Sequence, residues 1–154
     1  MTQEMDINGN TKHLLIKDLC CRLPYGVKVQ AFDYDGIETI ETLYQIDSDG
    51  YTSTIECDTL KHTHKPYLFP LSSMTGEQRI ELYKVLGLGY ESHYHLSKEW
   101  EDFNNSIDNN GLFLPASWVS DLNKMYNWLN KNHFDYQGLI PMKLANDATG
   151  LNIY

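Results

Sequence analysis

Two histidine motifs carry the clearest chemical signal in the sequence. Each has two histidines separated by one residue, and together they comprise His62, His64, His93 and His95. Residues i and i+2 of a β-strand point to the same side, so each pair could present two imidazoles to one zinc ion or a similar metal. Cys57 and Asp58 precede the first pair and could complete the coordination. The spacing matches no established zinc motif, and histidines in a surface loop give the same pattern. Both interpretations therefore stay open.

The three cysteines, Cys20, Cys21 and Cys57, favour reduced thiols over disulfides. Their number is odd, and adjacent cysteines rarely bridge because the required geometry strains the peptide between them. Cys20 falls on the apolar stripe of a predicted helix near its C-terminal end, where the helix dipole disfavours a thiolate. We therefore expect Cys20 to pack in the core.

Other catalytic motifs are missing from the sequence. It contains no Gly-x-Ser-x-Gly, no Walker loop and no Gly-x-Gly-x-x-Gly, and Gly87-Leu-Gly89 follows a predicted helix and lacks the third glycine. No catalytic residue is predicted. The enzyme alternative is a metal-dependent or hydrolytic protein that uses the two histidine pairs, with zinc as its cofactor.

Aromatic side chains suggest a different role. The chain has 3 Trp and 11 Tyr, and aromatic residues with a polar edge are favoured in protein interfaces. Tyr44, Tyr83 and Tyr126 occupy positions predicted to face inward. Other aromatic residues lie in turns, links or off the apolar stripes, and together they would form a binding patch if exposed. This candidate patch consists of Tyr25, Tyr67, Trp128, Phe134 and Tyr136.

The charge balance excludes some partners. Twelve basic and 21 acidic residues give a net charge of −9, spread over both halves of the chain. Such a surface repels phosphate backbones and anionic membranes, so we expect neither nucleic acid nor a membrane as a partner. The first ten residues are polar and acidic, unlike a signal peptide, and no run of eighteen apolar residues occurs. We expect a cytoplasmic protein whose partner is another protein or a second copy of itself.

The elements that must position these residues begin with a helix and a meander. Ile16, Leu19, Cys20 and Leu23 have helical spacing, and the proline at position 24 ends the helix. From residue 27 the apolar pattern alternates. The pairs Asp35-Gly36 and Asp49-Gly50 separate the alternating segments, which is typical of hairpins. A three-stranded antiparallel meander is expected over residues 27–57.

The second half predicts mainly helices. Residues 58–74 are expected to be an irregular crossing segment with its apolar side chains on the core. Thr75 and Gln78 form a capping-box pattern that starts a helix, which ends at Gly87. A weaker helical segment follows at 97–105. The clearest helix runs over 115–132, and a short helix is expected over 141–147.

Together these elements predict one α+β domain. It has a short N-terminal helix, a three-stranded antiparallel meander and two to three C-terminal helices packed on the sheet. Residues 1–11 are expected to be a flexible N-terminus. Residues 12–154 are expected to form the domain, β-rich over about 12–60 and helical over about 75–147.

Four segments resemble a family of small uncharacterised proteins common in Bacteroides-type genomes, prophages and phages. They are Lys17-Asp-Leu-Cys-Cys-Arg-Leu-Pro-Tyr-Gly-Val27, Asp47-Ser-Asp-Gly50, Lys65-Pro-Tyr-Leu-Phe-Pro-Leu-Ser-Ser-Met-Thr75 and Trp128-Leu-Asn-Lys-Asn-His-Phe-Asp-Tyr-Gln-Gly-Leu-Ile140. The resemblance implies a mobile-element setting and a soluble protein, and it carries no assigned activity. The function expected is that of a non-enzymatic accessory protein acting by protein–protein interaction.

Overall fold

The computed structural model describes residues 9–54, 64–87, 98–111 and 122–154. In these ranges the chain forms the predicted α+β architecture, with four helices and two three-stranded sheets. The elements are α1 Gly9–Arg22, β1 Lys28–Phe32, β2 Glu38–Ile46, β3 Thr52–Thr54, β4 Tyr67–Pro70, α2 Gly76–Val85, α3 Lys98–Asp108, α4 Leu122–Lys131, β5 Phe134–Asp135 and β6 Asn146–Asp147.

The predicted meander is confirmed as the sheet β1-β2-β3, with both pairs antiparallel. Its inner face buries Val29, Ala31 and Leu43. The prediction that Tyr44 faces inward is wrong: Leu43 points to the core, and Tyr44, at a bulge between Leu43 and Gln45, lies on the outer side with Ile40. Tyr44 is the extra residue of that bulge and is 64% exposed.

A second sheet was not predicted from the sequence. Strand β4 pairs in parallel with β5 on one side, where Phe69 lies opposite Phe134, and with β6 on the other, where Tyr67 lies opposite Asn146. The segment expected to be irregular is therefore a short central strand. The strands that pair with β4 lie more than 60 residues further along the chain, so no local sequence pattern predicts the pairing. Strand β6 also replaces the short helix expected over 141–147, and a turn at 139–143 precedes it.

Helix α1 packs on the inner face of the meander with a face that differs from the predicted one. The buried residues are Leu15, Asp18, Leu19 and Arg22, which follow helical spacing but include two charged side chains. Cys20, predicted to pack in the core, is exposed. The face is rotated because Asp18 and Arg22 form a buried ion pair.

Helices α2 to α4 form a second core. The capping box at Thr75 and Gln78 is confirmed, since Thr75 Oγ1 accepts the amide of Gln78 and the Gln78 side chain accepts the amide of Thr75. Aromatic and aliphatic side chains from all three helices surround Phe134 of β5. Of the residues predicted to point inward, Tyr83 is buried, whereas Tyr126 is exposed on the outer side of α4. Residues 115–121, the start of the helix predicted over 115–132, lie outside the described residues.

The two apolar clusters meet at the second sheet. Leu68 of β4 belongs to the cluster under α1 and the meander, whereas Leu71, just after β4, belongs to the cluster of α2 to α4. Strand β4 therefore joins the two halves of the core. No helix in the described ranges is long and apolar enough to cross a membrane.

Candidate interaction surface

Of the four histidines in the two motifs, His64 lies among the residues that the structure describes. His64 is buried, and Thr52 Oγ1 lies 2.7 Å from its Nδ1 while accepting its backbone N–H at 2.9 Å. One ring nitrogen of His64 is thus already engaged. His62, His93 and His95, with Cys57 and Asp58, lie outside the described residues. Among the residues that are described, no three His, Cys, Asp or Glu side chains are grouped as a metal ion would require. The zinc site stays a prediction.

Burial removes three members of the predicted aromatic patch from the surface. Tyr67 is 6% exposed, Trp128 8% and Phe134 1%. Trp128 and Phe134 stack with ring centroids 5.8 Å apart, inside the core of α2 to α4. These three residues therefore cannot belong to an exposed patch. Tyr67 and Phe134 lie in strands of the second sheet, and Trp128 packs on Phe134 in the core. Tyr25 and Tyr136 are half-buried.

A buried polar cluster joins α1 to β5. Arg22 Nε and Nη2 donate to the two carboxylate oxygens of Asp18 at 2.7 and 2.9 Å, and Nη2 also donates to the Phe134 carbonyl at 2.8 Å. Gln137 donates to Asp18 at 3.1 Å, and the Tyr136 ring lies 5.4 Å from the guanidinium. Burial raises the pKa of Asp18, and the Arg22 charge opposes that rise. These bonds compensate only part of the desolvation of the two charges, since burial dominates at Asp18 and Arg22 Nη1 is buried without a hydrogen-bond partner among the described residues, but they connect α1 to the end of β5.

This cluster was not predicted from the sequence, although the sequence carries one signal for it. Asp18 and Arg22 are four residues apart, the spacing at which opposite charges meet on a helix. They flank Leu19, and Leu15 precedes them by one turn, so the charged pair shares the apolar face.

The C-terminal residues close over the same region. His133 stacks on Tyr154 with ring centroids 3.9 Å apart. Burial, together with the nearby Arg22 charge, lowers the pKa of His133 to about 4. Tyr154 Oη donates to the Tyr67 carbonyl at 2.7 Å and accepts the Lys28 amide at 2.9 Å, and burial raises its pKa. These contacts hold the C-terminal residue against β4 and the start of β1.

The thiols Cys20 and Cys21 are both exposed on α1. Desolvation and the adjacent Cys21 raise the pKa of Cys20. A raised pKa reduces the thiolate fraction, which is the nucleophilic form. The expected core position of Cys20 is wrong, because its side chain is exposed on α1.

The strongest candidate for binding is the outer side of the first hairpin. Six of the eleven exposed large hydrophobic side chains in the described part of the chain lie between residues 32 and 51. Five of them belong to the β1–β2 hairpin and its turn, and we call this set the outer hairpin face: Phe32, Tyr34, Ile37, Ile40 and Tyr44.

The strand register explains why these side chains share a surface. Phe32 lies opposite Glu38, and Ile40 lies opposite Gln30. Because residues two apart on a strand point to the same side, Phe32 and Ile40 are diagonal neighbours on the side away from α1. Tyr34 is 90% exposed at the tip of the turn. Tyr44, predicted to face inward, lies on this outer side instead.

The turn that carries the tip is held by its own hydrogen bonds. Asp33 Oδ1 accepts the amides of Asp35 at 3.0 Å and Ile37 at 2.8 Å. The Asp33 amide donates to the Ile37 carbonyl, and Gly36 has a φ of 77°, so the loop has the form of a three-residue hairpin turn with a left-handed glycine. These hydrogen bonds within the turn fix the backbone under Tyr34 and Ile37.

A basic groove lies elsewhere, between the end of α2 and one face of α4. It encloses about 490 Å³ and is lined by three lysines together with aromatic and amide side chains. The charged lining residues are Lys84, Lys124 and Lys131.

Comparisons with known proteins give no further assignment. No family model, curated protein or solved structure matches this chain.

Proposed function

We propose that this protein is a non-enzymatic accessory protein of a phage or mobile element that acts by binding another protein through the outer hairpin face. The observation that carries the proposal is the concentration of exposed aromatic and aliphatic side chains on one hairpin. Apolar groups exposed together are typical of interaction sites because burying them releases water from both partners. The mobile-element setting rests on the resemblance of residues 17–27, 47–50, 65–75 and 128–140.

The rigidity of the turn supports this role. An interface that orders a loop on binding loses affinity to conformational entropy. The bonds from Asp33 already fix the loop, so Tyr34 and Ile37 are presented in one arrangement before binding. A side chain such as Tyr34, large and with few torsions, is a favourable anchor for a partner pocket.

Charges around the hairpin indicate the kind of partner. Asp33, Asp35 and Glu38 are exposed beside the apolar side chains, and Lys28 is the cation on the same side of β1. The Lys28 ammonium donates to Thr42 across the hairpin. An acidic rim favours a partner that offers an apolar pocket bordered by Lys or Arg. Two copies of this face would bring their acidic rims together, so we infer a different protein as the partner.

The decisive experiment combines capture from infected or lysogenic host cells with matched variants of the bait. The test variant is Tyr34→Ser with Ile37→Ser, which removes the two most projecting apolar groups of the turn. The control variant is Met142→Ser with Leu151→Ser, which removes two exposed apolar side chains far from the hairpin in sequence. Capture is repeated at low and high salt, and a photocrosslinker at position 34 identifies the contact.

The expected result is a specific protein that wild type and control retain and the hairpin variant loses. The affinity of this partner for the hairpin variant should be at least about tenfold lower than for the wild type, which corresponds to 1.4 kcal/mol. Its affinity for the wild type should decrease as the salt concentration rises. A partner retained by the hairpin variant, or recovery of the bait alone, would contradict the proposal. A crosslink between two baits would contradict the choice of a different protein as partner.

A further inference from the structure

The two sheets approach each other where β1 passes the start of β4. The Gln30 amide donates to the Lys65 carbonyl at 2.8 Å, beside an isolated antiparallel bridge between the same two segments. Hydrogen-bonded pairs alternate with non-bonded pairs along an antiparallel ladder, so the next bonded pair in this register is Lys28 with Tyr67. A direct bond from the Lys28 amide to the Tyr67 carbonyl would therefore continue the ladder.

The hydroxyl of Tyr154 takes the place of that direct bond. Its oxygen accepts the Lys28 amide at 2.9 Å and donates to the Tyr67 carbonyl at 2.7 Å. Burial raises the pKa of Tyr154, so the hydroxyl keeps the proton that it donates. A side-chain hydroxyl is thus inserted between two strands at the point where their backbones would otherwise pair.

Two further rings complete a slot around the Tyr154 side chain. The His133 ring stacks on the Tyr154 ring with centroids 3.9 Å apart, and the Phe69 ring lies tilted at 5.7 Å. The Phe69 amide donates to the His133 carbonyl at 2.9 Å, so these two walls are joined to each other without Tyr154. We call the space bounded by Lys28, Tyr67, Phe69 and His133 the tyrosine slot.

The segment that carries Tyr154 has few other bonds to the domain. We call residues 149–154 the strap. The amides of Thr149 and Leu151 donate to acceptors only two and three residues earlier, and neither core cluster includes a strap residue. Among the described residues, the hydroxyl of Tyr154 makes the strap's only hydrogen bonds to β1 and β4. Tyr154 is 44% exposed, so its ring can leave without opening either core.

The slot is selective for one kind of side chain. Its backbone groups need an occupant that accepts one hydrogen bond and donates another through a single atom. A hydroxyl does both, whereas a carboxylate has no proton to donate and an indole N–H cannot accept. The rings of His133 and Phe69 need a flat aromatic partner. Tyrosine is the side chain that combines a hydroxyl with an aromatic ring.

We propose that the strap is a detachable latch, and that the tyrosine slot it vacates binds a tyrosine side chain supplied by another polypeptide segment. The walls of the slot stay in place when the strap leaves because the sheets and the bond between Phe69 and His133 hold them. An incoming tyrosine then competes with Tyr154 for the same two backbone groups. The proposal is independent of the outer hairpin face, none of whose five side chains bounds the slot.

Residue-resolved hydrogen exchange of the wild type tests the latch. The reporter is the Lys28 amide, which bonds to Tyr154, and the internal control is the Gln30 amide, which bonds to Lys65 on the same edge of β1. A local release of the strap should make Lys28 exchange at least about tenfold faster than Gln30, at a rate that low concentrations of urea do not change. Equal, urea-dependent exchange of both amides would overturn the latch.

Two substitutions in the strap test the slot. Tyr154→Ala empties it, and Leu151→Ala is the matched control because Leu151 is also 44% exposed. Tyr154→Ala should stay folded and accelerate exchange of the Lys28 amide at least about tenfold, with less than a twofold change at Gln30. Leu151→Ala should change neither amide by more than about twofold. Thermal unfolding verifies that both variants are folded.

Added ligands then test which occupant the slot takes in Tyr154→Ala. The compound p-cresol, which reproduces the tyrosine side chain, should restore the protection of Lys28 saturably, whereas 4-methylanisole, which cannot donate a hydrogen bond, should not. A peptide with the sequence of residues 149–154 should protect Lys28 at lower concentration than p-cresol, and the same peptide ending in Phe should fail.

Several outcomes would overturn the proposal. They are unfolding of Tyr154→Ala, unchanged exchange of its Lys28 amide, and equal protection of Lys28 by p-cresol and 4-methylanisole. A lack of protection by the peptide would show that the slot does not take a tyrosine from another polypeptide segment.

Discussion

Two turns with one sequence pattern join the strands of the meander. Asp33–Ile37 connects β1 to β2, and Asp47–Tyr51 connects β2 to β3, each with the pattern Asp-x-Asp-Gly followed by a hydrophobic residue. In both, the first aspartate accepts the amides two and four residues ahead, at distances of 2.8–3.0 Å. Both glycines are left-handed, with φ values of 77° and 79°. The local sequence therefore determines the same turn twice.

The surroundings of the two turns differ. Gly50 is buried, and a Cβ placed on it would lie 3.3 Å from Cγ1 of Ile16 on α1. The ring of Tyr51 lies 4.5 Å from the Lys12 ammonium on the same helix. A Cβ placed on Gly36 has no atom within 4 Å. Helix α1 thus packs against the second turn, whereas the apolar side chains of the first turn are exposed.

The largest expected effect comes from removing the ion pair that holds α1. Arg22→Ala leaves the Asp18 carboxylate buried without its partner, which should lower the free energy of unfolding by about 3–5 kcal/mol. Hydrogen exchange should then accelerate at the amides of Asp49 and Tyr51 more than at Ile37, because only the second turn depends on α1. The measurements are urea unfolding and exchange mass spectrometry.

A double variant separates the lost pair from general damage. Asp18→Leu with Arg22→Met replaces both charges by apolar side chains and should recover most of the stability. If Arg22→Ala costs less than about 1 kcal/mol, or if both turns accelerate equally, the dependence of the second turn on α1 is wrong.

Acidification should destabilise the contact between α1 and β5, because His133 lies near Arg22 and gains a proton. Its pKa is lowered to about 4 in the folded protein from an ordinary value of 6.5. The unfolded chain binds this proton more readily, so the stabilising contribution is full above pH 6.5 and declines as the pH falls to 4. The loss over this window is on the order of 3 kcal/mol. Protonation puts a second positive charge near Arg22, which disfavours the docked position of α1.

Urea unfolding between pH 7 and pH 4 measures this slope. His133→Asn is the matched variant, because Asn does not titrate and tolerates the left-handed φ of 58° found at this position. Its stability should vary less with pH than that of the wild type. An unchanged slope in the variant would show that His133 is not the titrating group.

The two glycines compare the turns directly. Gly36→Ala and Gly50→Ala both force a side chain into the left-handed region, which costs about 1–2 kcal/mol. Gly50→Ala also crowds Ile16, so its total cost should reach about 2–3 kcal/mol. The difference between the two unfolding free energies is the quantity to measure. If both substitutions lower the free energy of unfolding equally, the Ile16 side chain on α1 can move away from position 50 without loss of packing.

Local chemistry explains how much of the fold the sequence could predict. The Asp-Gly pairs specified the meander, and Thr75 with Gln78 specified the start of α2, because both signals act within a few residues. The pairing of β4 with β5 and β6 depends on segments far apart in the chain and left no local trace. In the second half of the chain the sequence therefore predicted helices but not which segments pair with β4.

The candidate site was harder to predict for the same reason. Tyr44 was predicted to face inward, but which side of β2 faces the core depends on where α1 docks. The rotation of α1 follows from the buried pair Asp18 and Arg22, a tertiary arrangement that an apolar pattern does not reveal. Trp128 was expected to be a surface anchor and is instead a buried residue of the α2–α4 core.

The smallest expected effects distinguish structural from binding roles at the two turns. Tyr51→Ser removes the contact with the Lys12 ammonium and should cost about 0.5–1 kcal/mol of stability. Tyr34→Ser, at a position 90% exposed, should change stability by less than about 0.5 kcal/mol. Urea unfolding measures both. If Tyr34→Ser unfolds like the wild type yet no longer captures the partner, Tyr34 contributes to binding and not to folding. A stability loss as large as that of Tyr51→Ser would instead make Tyr34 a structural residue and the two turns equivalent.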